Sequence, residues 1–259
     1  MQKEENLPRR RFIRTAALGS ITLGSIAALS IPQIVSASMP AASKKKIKLS
    51  KGNTVLFQGD SITDAGRNHN EQSPNNTSAF GSGYPMLAGA KLLNSYASLD
   101  LKIYNKGISG NKVFQLAERW EQDCFNLKPD VLSLMIGVND FWHTLDGNYN
   151  GTPEIYEKDY IALMEKTRKV LPDIQIIIIE PYAVKSSGAA VNDKWYPLFD
   201  EYRKAADRVA KIYANAWIPM QSIFDKAEKY APGKYWAGDG VHPSIAGASL
   251  IAESWLSVF

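Results

Sequence analysis

Residues 55–64 read Val-Leu-Phe-Gln-Gly-Asp-Ser-Ile-Thr-Asp, and the reading of the whole chain turns on them. Thr54 to Phe57 is a short apolar run of β-branched and aromatic residues, the signature of a buried strand. The run breaks at Gly59-Asp60-Ser61, where glycine allows a sharp turn. That turn delivers Ser61 to the carboxyl end of a strand, the edge of an open α/β sheet where ligands bind. A serine in this place is either a helix N-cap or a nucleophile. What the other strand ends bring beside it decides between the two.

Outward from this stretch, strands alternate with helices. Further strands are expected at Leu101–Tyr104, Asp130–Ile136, Ile174–Glu180 and Trp217–Pro219, with an extra edge strand at Ile47–Leu49. Helices are expected over Tyr84–Tyr96, Val113–Leu127, Pro153–Val170, Leu198–Tyr213, Ser222–Lys229 and Ala246–Leu256. Thr152 followed by Pro153 marks one helix start. Residues 65–82, rich in Asn, Ser and Gly, read as a long loop beside Ser61, and the stretch holding Trp142, Gly147 and Gly151 as another. The alternation predicts one domain over residues 54–259, a three-layer α/β/α sandwich on a mostly parallel five-stranded sheet.

Residues 1–37 read differently. Arg9, Arg10, Arg11, Phe12, Ile13 and Arg14 precede a mild apolar stretch from Thr15 to Ile34, and Val35-Ser36-Ala37 supplies small residues for a signal peptidase. The pattern looks like a bacterial twin-arginine export signal, with residues 38–53 as a leader and the protein destined for the periplasm or the outside. An uncleaved anchor is the alternative, since the stretch approaches bilayer length. The segment holds five Lys/Arg and two acidic residues, so without it the net charge falls from +4 to +1. The basic balance therefore gives no reason to expect nucleic acid, and Lys44-Lys45-Lys46 reads as a solvated leader. Cys124, the only cysteine, forms no internal disulfide and reads as core; three scattered histidines suggest no metal site.

Three strands end in polar, glycine-containing loops: Gly59-Asp60-Ser61, Gly107 to Asn111, and Gly137 to Asp140. A parallel sheet sends all three to one edge. Near the C-terminus Asp239 and His242 stand three apart, within reach of each other. Together they supply a serine hydrolase: Ser61 attacks, His242 takes its proton, and Asp239 fixes the imidazole tautomer. The N–H groups of Ser61 and Gly107 and the amide of Asn139 are the expected oxyanion donors. Asp60, Asp64 and Asp140 are expected to support the loops, with Asp60 and Asp64 holding the nucleophile turn. Arg67 is expected to pair with one of those carboxylates, and His69 and His143 to be exposed.

Gly-Asp-Ser-Ile at 59–62, the Gly107 block, Gly-x-Asn-Asp at 137–140 and Asp-x-x-His at 239–242 resemble, in order, the blocks of the SGNH (GDSL) hydrolase family. The resemblance runs from Thr54 to the end. It implies a flavodoxin-like sandwich, a tetrad of Ser61, Gly107, Asn139 and His242 completed by Asp239, and no cofactor. The longer stretch through Arg67, with Gly-x-Gly-Tyr at 81–84, is similar to the acetylxylan esterases of that family, except that Ala65 stands where those tend to have cysteine. Aromatic residues among polar loops (Trp142, Tyr149, Trp195, Tyr196, Trp236) suit sugar stacking, and Arg67, Trp142, Tyr149 and Trp236 are the substrate-binding candidates. The expected function is an O-acetylesterase acting on acetylated oligosaccharides. A short-chain lysophospholipase or thioesterase of the same family and a non-catalytic sugar-binding module on an esterase scaffold are the alternatives. A Rossmann-type nucleotide site is disfavoured, because no Gly-x-Gly-x-x-Gly follows the first strand.

Overall fold

The computed structural model describes residues 30–39, 47–185 and 190–259. Its centre is a five-stranded, all-parallel sheet in the order β2-β1-β3-β4-β5. The strands are β1 (Thr54–Gly59), β2 (Lys102–Asn105), β3 (Val131–Met135), β4 (Gln175–Ile179) and β5 (Ala216–Ile218). β3 is buried throughout and β4 nearly so, as expected where helices cover both sheet faces. β1 pairs with β2 on one side and β3 on the other, with Leu56 beside both Tyr104 and Leu132. The chain first steps one way from β1 and then the other, so a topological switch point lies at the carboxyl ends of β1 and β3.

The helices are α1 (Ile31–Ser38), α2 (Ser61–Asp64), α3 (Tyr84–Ser95), α4 (Val113–Asp123), α5 (Val138–Leu145), α6 (Pro153–Val170), α7 (Leu198–Tyr213), α8 (Met220–Ala227), α9 (Gly233–Trp236) and α10 (Ile245–Leu256). α3, α10 and α1 pack together in one layer, and α4, α6 and α7 in the other. Large aromatics fasten each layer. Trp255 of α10 lies against Phe57 with ring centroids 4.8 Å apart and donates Nε1–H to Ser133 Oγ at 3.0 Å. Trp120 of α4 does the same to Thr167 Oγ1 of α6 at 2.9 Å, so each buried indole has its acceptor. Among the described residues no helix is long and apolar enough to cross a membrane.

Three expectations need correction. Ile47–Leu49 adds no strand. The Ile47 N–H pairs with the Val258 carbonyl and the Lys48 backbone with the Gln175 side chain, so the segment ties the C-terminus to β4 without joining the sheet. Residues 138–145 form helix α5, where a polar loop was expected. The helix expected to run to Leu127 stops at Asp123, and a 3₁₀ turn covers Phe125–Leu127, with Cys124 buried between them.

α1 bears on the N-terminal segment. Ile34 and Val35 are buried, α1 packs on α8 and α10, and Lys226 Nζ donates to the Ala37 carbonyl at 2.6 Å. The end of the expected export segment thus lies in a helix seated on the domain. Arg9 to Arg14 and Lys44 to Lys46 lie outside the described residues. Burying an Ile and a Val is worth about 1.5–3 kcal/mol each, and each kcal/mol moves the melting temperature of a chain this size by about 2–4 °C. A chain starting at Ser30 should therefore melt about 5 °C or more above one starting at Met39. Equal melting temperatures would mean α1 contributes nothing.

Candidate active site

The nucleophile turn is built by its own residues. Asp60 caps α2 by accepting the Ile62 N–H at 3.0 Å, which orients the first turn of a helix whose first residue is Ser61. Ser61 Oγ stands 2.8 Å from His242 Nε2, and His242 Nδ1 stands 2.6 Å from Asp239 Oδ2. A carboxylate only accepts, so Nδ1 carries the proton and Nε2 presents its lone pair to the serine hydroxyl. Asp239 Oδ1 also takes the N–H groups of Val241 and His242, both at 2.8 Å, and so shapes the loop that carries the histidine. Burial pushes the Asp239 carboxyl upward. Hydrogen bonds from the His242 ring and from those two N–H groups outweigh it and hold the group below its ordinary value.

The other two loops converge on this triad. Asn139, in the first turn of α5, donates Nδ2–H to the Asn111 carbonyl at 3.2 Å, which leaves its second amide N–H for a ligand. The loop after β2 corrects one expectation. The N–H of Gly107 is already taken by Asn105 Oδ1 at 3.0 Å, so it is not a free oxyanion donor. The glycine is needed there for packing, because a Cβ would stand 2.4 Å from the Asp64 nitrogen. The N–H groups of Lys106, Ile108, Ser109 and Asn111 are also used, by Phe57 O, Gly59 O, Asp64 Oδ2 and Ile108 O. Only Gly110 has an N–H in this loop without a protein acceptor among the described residues, and buried or half-buried donors rarely stay unmatched. Gly110 sits at φ +81°, the position of a type II turn that needs positive φ, with open space around it. Its neighbours are stitched to the other loops, Ser109 to Asp64 of α2 and Asn111 to Asn139 of α5. In this loop it is thus Gly110, and not Gly107, whose N–H is left for a ligand.

The supporting carboxylates divide their work. Asp60 acts on the nucleophile turn as expected. Asp64 instead reaches across to the β2 loop, accepting from Ser109 N at 2.9 Å and Oγ at 2.6 Å, and pairs with the half-exposed His69 at 3.0 Å. Asp140 Oδ1 accepts the Val113 N–H at 3.1 Å and links α5 to α4, while its Oδ2 is buried without a partner. Burial pushes Asp140 up to about 7, against the pull of that N–H, and Asp60 also up to about 7 for the same reason.

Of the four substrate-binding candidates, the structure brings Trp142 to the triad. Its ring centroid lies 6.2 Å from that of His242, and it leans on buried Trp195. Tyr149 stacks on Phe114 at 5.7 Å with Lys112 over both rings. Trp236 is buried and supports the histidine loop through its carbonyl, which accepts the Ser244 N–H. Arg67 is 7% exposed and donates Nε–H to the Gly107 carbonyl at 2.8 Å, and no ion pair joins it to Asp60 or Asp64. A cavity of about 420 Å³ opens beside Ser61, lined among others by Ile62, Ala65, Gly83, Ile245 and Ala248. The side chains of His242 and Asp239 are 45% and 35% exposed, so the triad is open to solvent.

The GDSL-like lipase/acylhydrolase family matches residues 57–250. A Geobacillus stearothermophilus acetylxylan esterase is 32% identical over 214 residues, 81% of this chain and 95% of that one. Its crystal structure superposes with a TM-score of 0.72 at 31% identity, covering 82% of this chain and 96% of that chain. Catalytic variants of that esterase have a serine or a histidine replaced by alanine. A protein from Parabacteroides merdae, described as a GDSL-like lipase, is 51% identical with a TM-score of 0.80, covering 82% of this chain and 98% of that chain.

The buried Asp140 makes a prediction about stability. Its folded-state value, about 7, lies above the ordinary carboxylate value of about 4. The stability it contributes is whole below about pH 4 and is lost as the pH rises through 7. Asp140→Asn removes that titration, so its melting temperature should rise relative to the natural chain between pH 5 and pH 8. A difference constant across that range would contradict the burial argument.

Proposed function

We propose that this chain, which belongs to the GDSL-like lipase/acylhydrolase family and is a carboxylic ester hydrolase, removes acetyl groups from the hydroxyls of xylo-oligosaccharides or related plant polysaccharide fragments. Ser61 Oγ attacks the acetyl carbonyl carbon while His242 Nε2 takes the hydroxyl proton. The negative charge that forms on the carbonyl oxygen meets the N–H groups of Ser61 and Gly110 and the Asn139 amide. The tetrahedral intermediate then collapses, the bond from carbon to the sugar oxygen breaks, and His242 returns its proton to the departing sugar hydroxyl. Water attacks the acetyl-serine in the second half, giving its proton to His242. Acetate leaves, and the proton returns to Ser61 Oγ.

The observation that carries the sugar reading is the open triad flanked by Trp142. An indole beside a half-exposed histidine offers a flat apolar face to a pyranose ring, whereas a sequestered acyl chain would call for a closed tunnel. Near full-length similarity to an acetylxylan esterase supports the same substrate class. The Arg9–Arg11 segment supports an exported enzyme that meets polymer fragments outside the cytoplasm. One feature favours a longer acyl group: Ile245, 87% exposed, extends the apolar lining of the cavity beside Ser61.

Acetate release from acetylated xylo-oligosaccharides, beside a synthetic ester series from acetyl to decanoyl, separates these readings. The expected result is release with a steep fall beyond short acyl groups. Ser61→Ala should lower kcat by at least about 10⁴-fold, Asp239→Asn by about 10³–10⁴-fold and Asn139→Ala by about 10²–10³-fold. Preference for long acyl chains would overturn the acetylesterase reading in favour of a lysophospholipase or thioesterase. Equal inertness of the natural chain and Ser61→Ala would point to a sugar-binding role.

A further inference from the structure

Two guanidinium groups hold carbonyls of the β2 loop. Arg67 Nε donates to the carbonyl of Gly107 at 2.8 Å, and Arg119 Nη1 to the carbonyl of Lys106 at 2.9 Å. Arg119 Nε also donates to Asn111 Oδ1 at 2.9 Å, at the far end of the same loop. The orientation of a peptide plane is set by its carbonyl and its N–H together. With two adjacent carbonyls each held by one guanidinium N–H, Ser109 held by Asp64 and Asn111 held by Arg119 and Asn139, the peptide planes on either side of Gly110 have fixed neighbours.

The charge arrangement is costly. Arg67, Lys106 and Arg119 are largely buried together. Asp123 is the carboxylate in contact with two of them, 2.9 Å from Arg119 Nη1 and 3.7 Å from Lys106 Nζ, and it acts on Arg67 only through space, as Asp64 does on Arg67 and Arg119. Arg67 Nη1 and Arg119 Nη2 are buried with no partner among the described residues. Apolar residues of similar volume serve stability as well or better than such buried ions. What they do not supply is a planar donor aimed at a carbonyl, and lysine supplies only a rotating point charge.

We propose that Arg67 and Arg119 are positioning residues of the esterase: they act through the Lys106 and Gly107 carbonyls to aim the Gly110 N–H at the oxyanion. The proposal rests on the esterase reading above, and it assigns Arg67 to the loop and not to the substrate. Because the aim matters only when charge develops on the carbonyl oxygen, substrate binding should be nearly indifferent to it.

The test is steady-state kinetics on 4-nitrophenyl acetate for Arg67→Lys, Arg67→Ala and Arg119→Lys, together with inhibition by methylboronic acid, whose serine adduct places an oxygen among the oxyanion donors. Misplaced donors should lower kcat by about 10-fold or more, leave KM within about threefold, and weaken the boronate by a factor close to the loss in kcat. Ethylguanidinium should restore part of the activity of Arg67→Ala. Should Arg67→Ala fail to fold, the two lysine variants carry the test, with circular dichroism confirming their fold. Folded lysine variants with unchanged kcat, or with a loss confined to KM, would overturn the positioning role while leaving the esterase reading intact. A natural chain inert on every ester would overturn both.

Discussion

Parallel pairing of β1 with both β2 and β3 is the constraint from which the site follows. In a parallel sheet every strand ends at the same edge, so the loops after β1, β2 and β3 meet there although about 80 residues separate Ser61 from Asn139. The covering of both faces allows that sheet to exist: Trp255 and Phe57 close one face, Trp120 and Thr167 fasten the helices over the other. Ser61, Gly110 and Asn139 are then neighbours by topology. His242 comes from outside the sheet, on the loop before α10, and the packing of α10 on α3 and of Trp255 on Phe57 holds that loop in place.

Within the site, polar groups are spent on geometry. Asp60 serves the Ile62 N–H, Asp64 serves Ser109, Asn105 serves Gly107 and also ties Thr63 to Phe80 through its amide, and Arg67 and Arg119 serve the next two carbonyls. Among the groups left over are those the proposed chemistry needs: the Ser61 hydroxyl with its histidine, the Gly110 N–H and the second N–H of Asn139. Such a site is rigid before substrate arrives, and electrostatic stabilisation by pre-aimed donors needs no reorganisation during the reaction. Its cost appears as buried carboxyls pushed toward neutrality, at Asp60 and Asp140.

Much of this was legible in residue order. Pro153–Val170 and Leu198–Tyr213 are helices over the expected residues, because long amphipathic periodicity and a Thr-Pro start are local signals. The triad was legible because Asp239 and His242 are close in sequence and Ser61 closes a strand. The misses at Gly107 and Arg67 share one cause, that hydrogen-bond accounting is three-dimensional. Gly107 and Gly110 are three residues apart and equally bare, and only the partner of each N–H tells them apart. Asn139-Asp140 read as loop because both residues favour turns, although here they form the first turn of α5. Arg67 read as a partner of Asp60 or Asp64 and as a substrate-binding candidate, because its actual partner, the Gly107 backbone carbonyl, leaves no mark in the sequence.

The central claim is that the β1, β2 and β3 loops present three donors to one oxygen. The most direct measurement is a crystal structure of the chain with Ser61 converted to a methylphosphonate or acetate-derived tetrahedral adduct. The account predicts the adduct oxygen within about 3 Å of the Ser61 nitrogen, the Gly110 nitrogen and Asn139 Nδ2 together. An oxygen turned to solvent, or one bonded to the Gly107 nitrogen in place of Gly110, would contradict it.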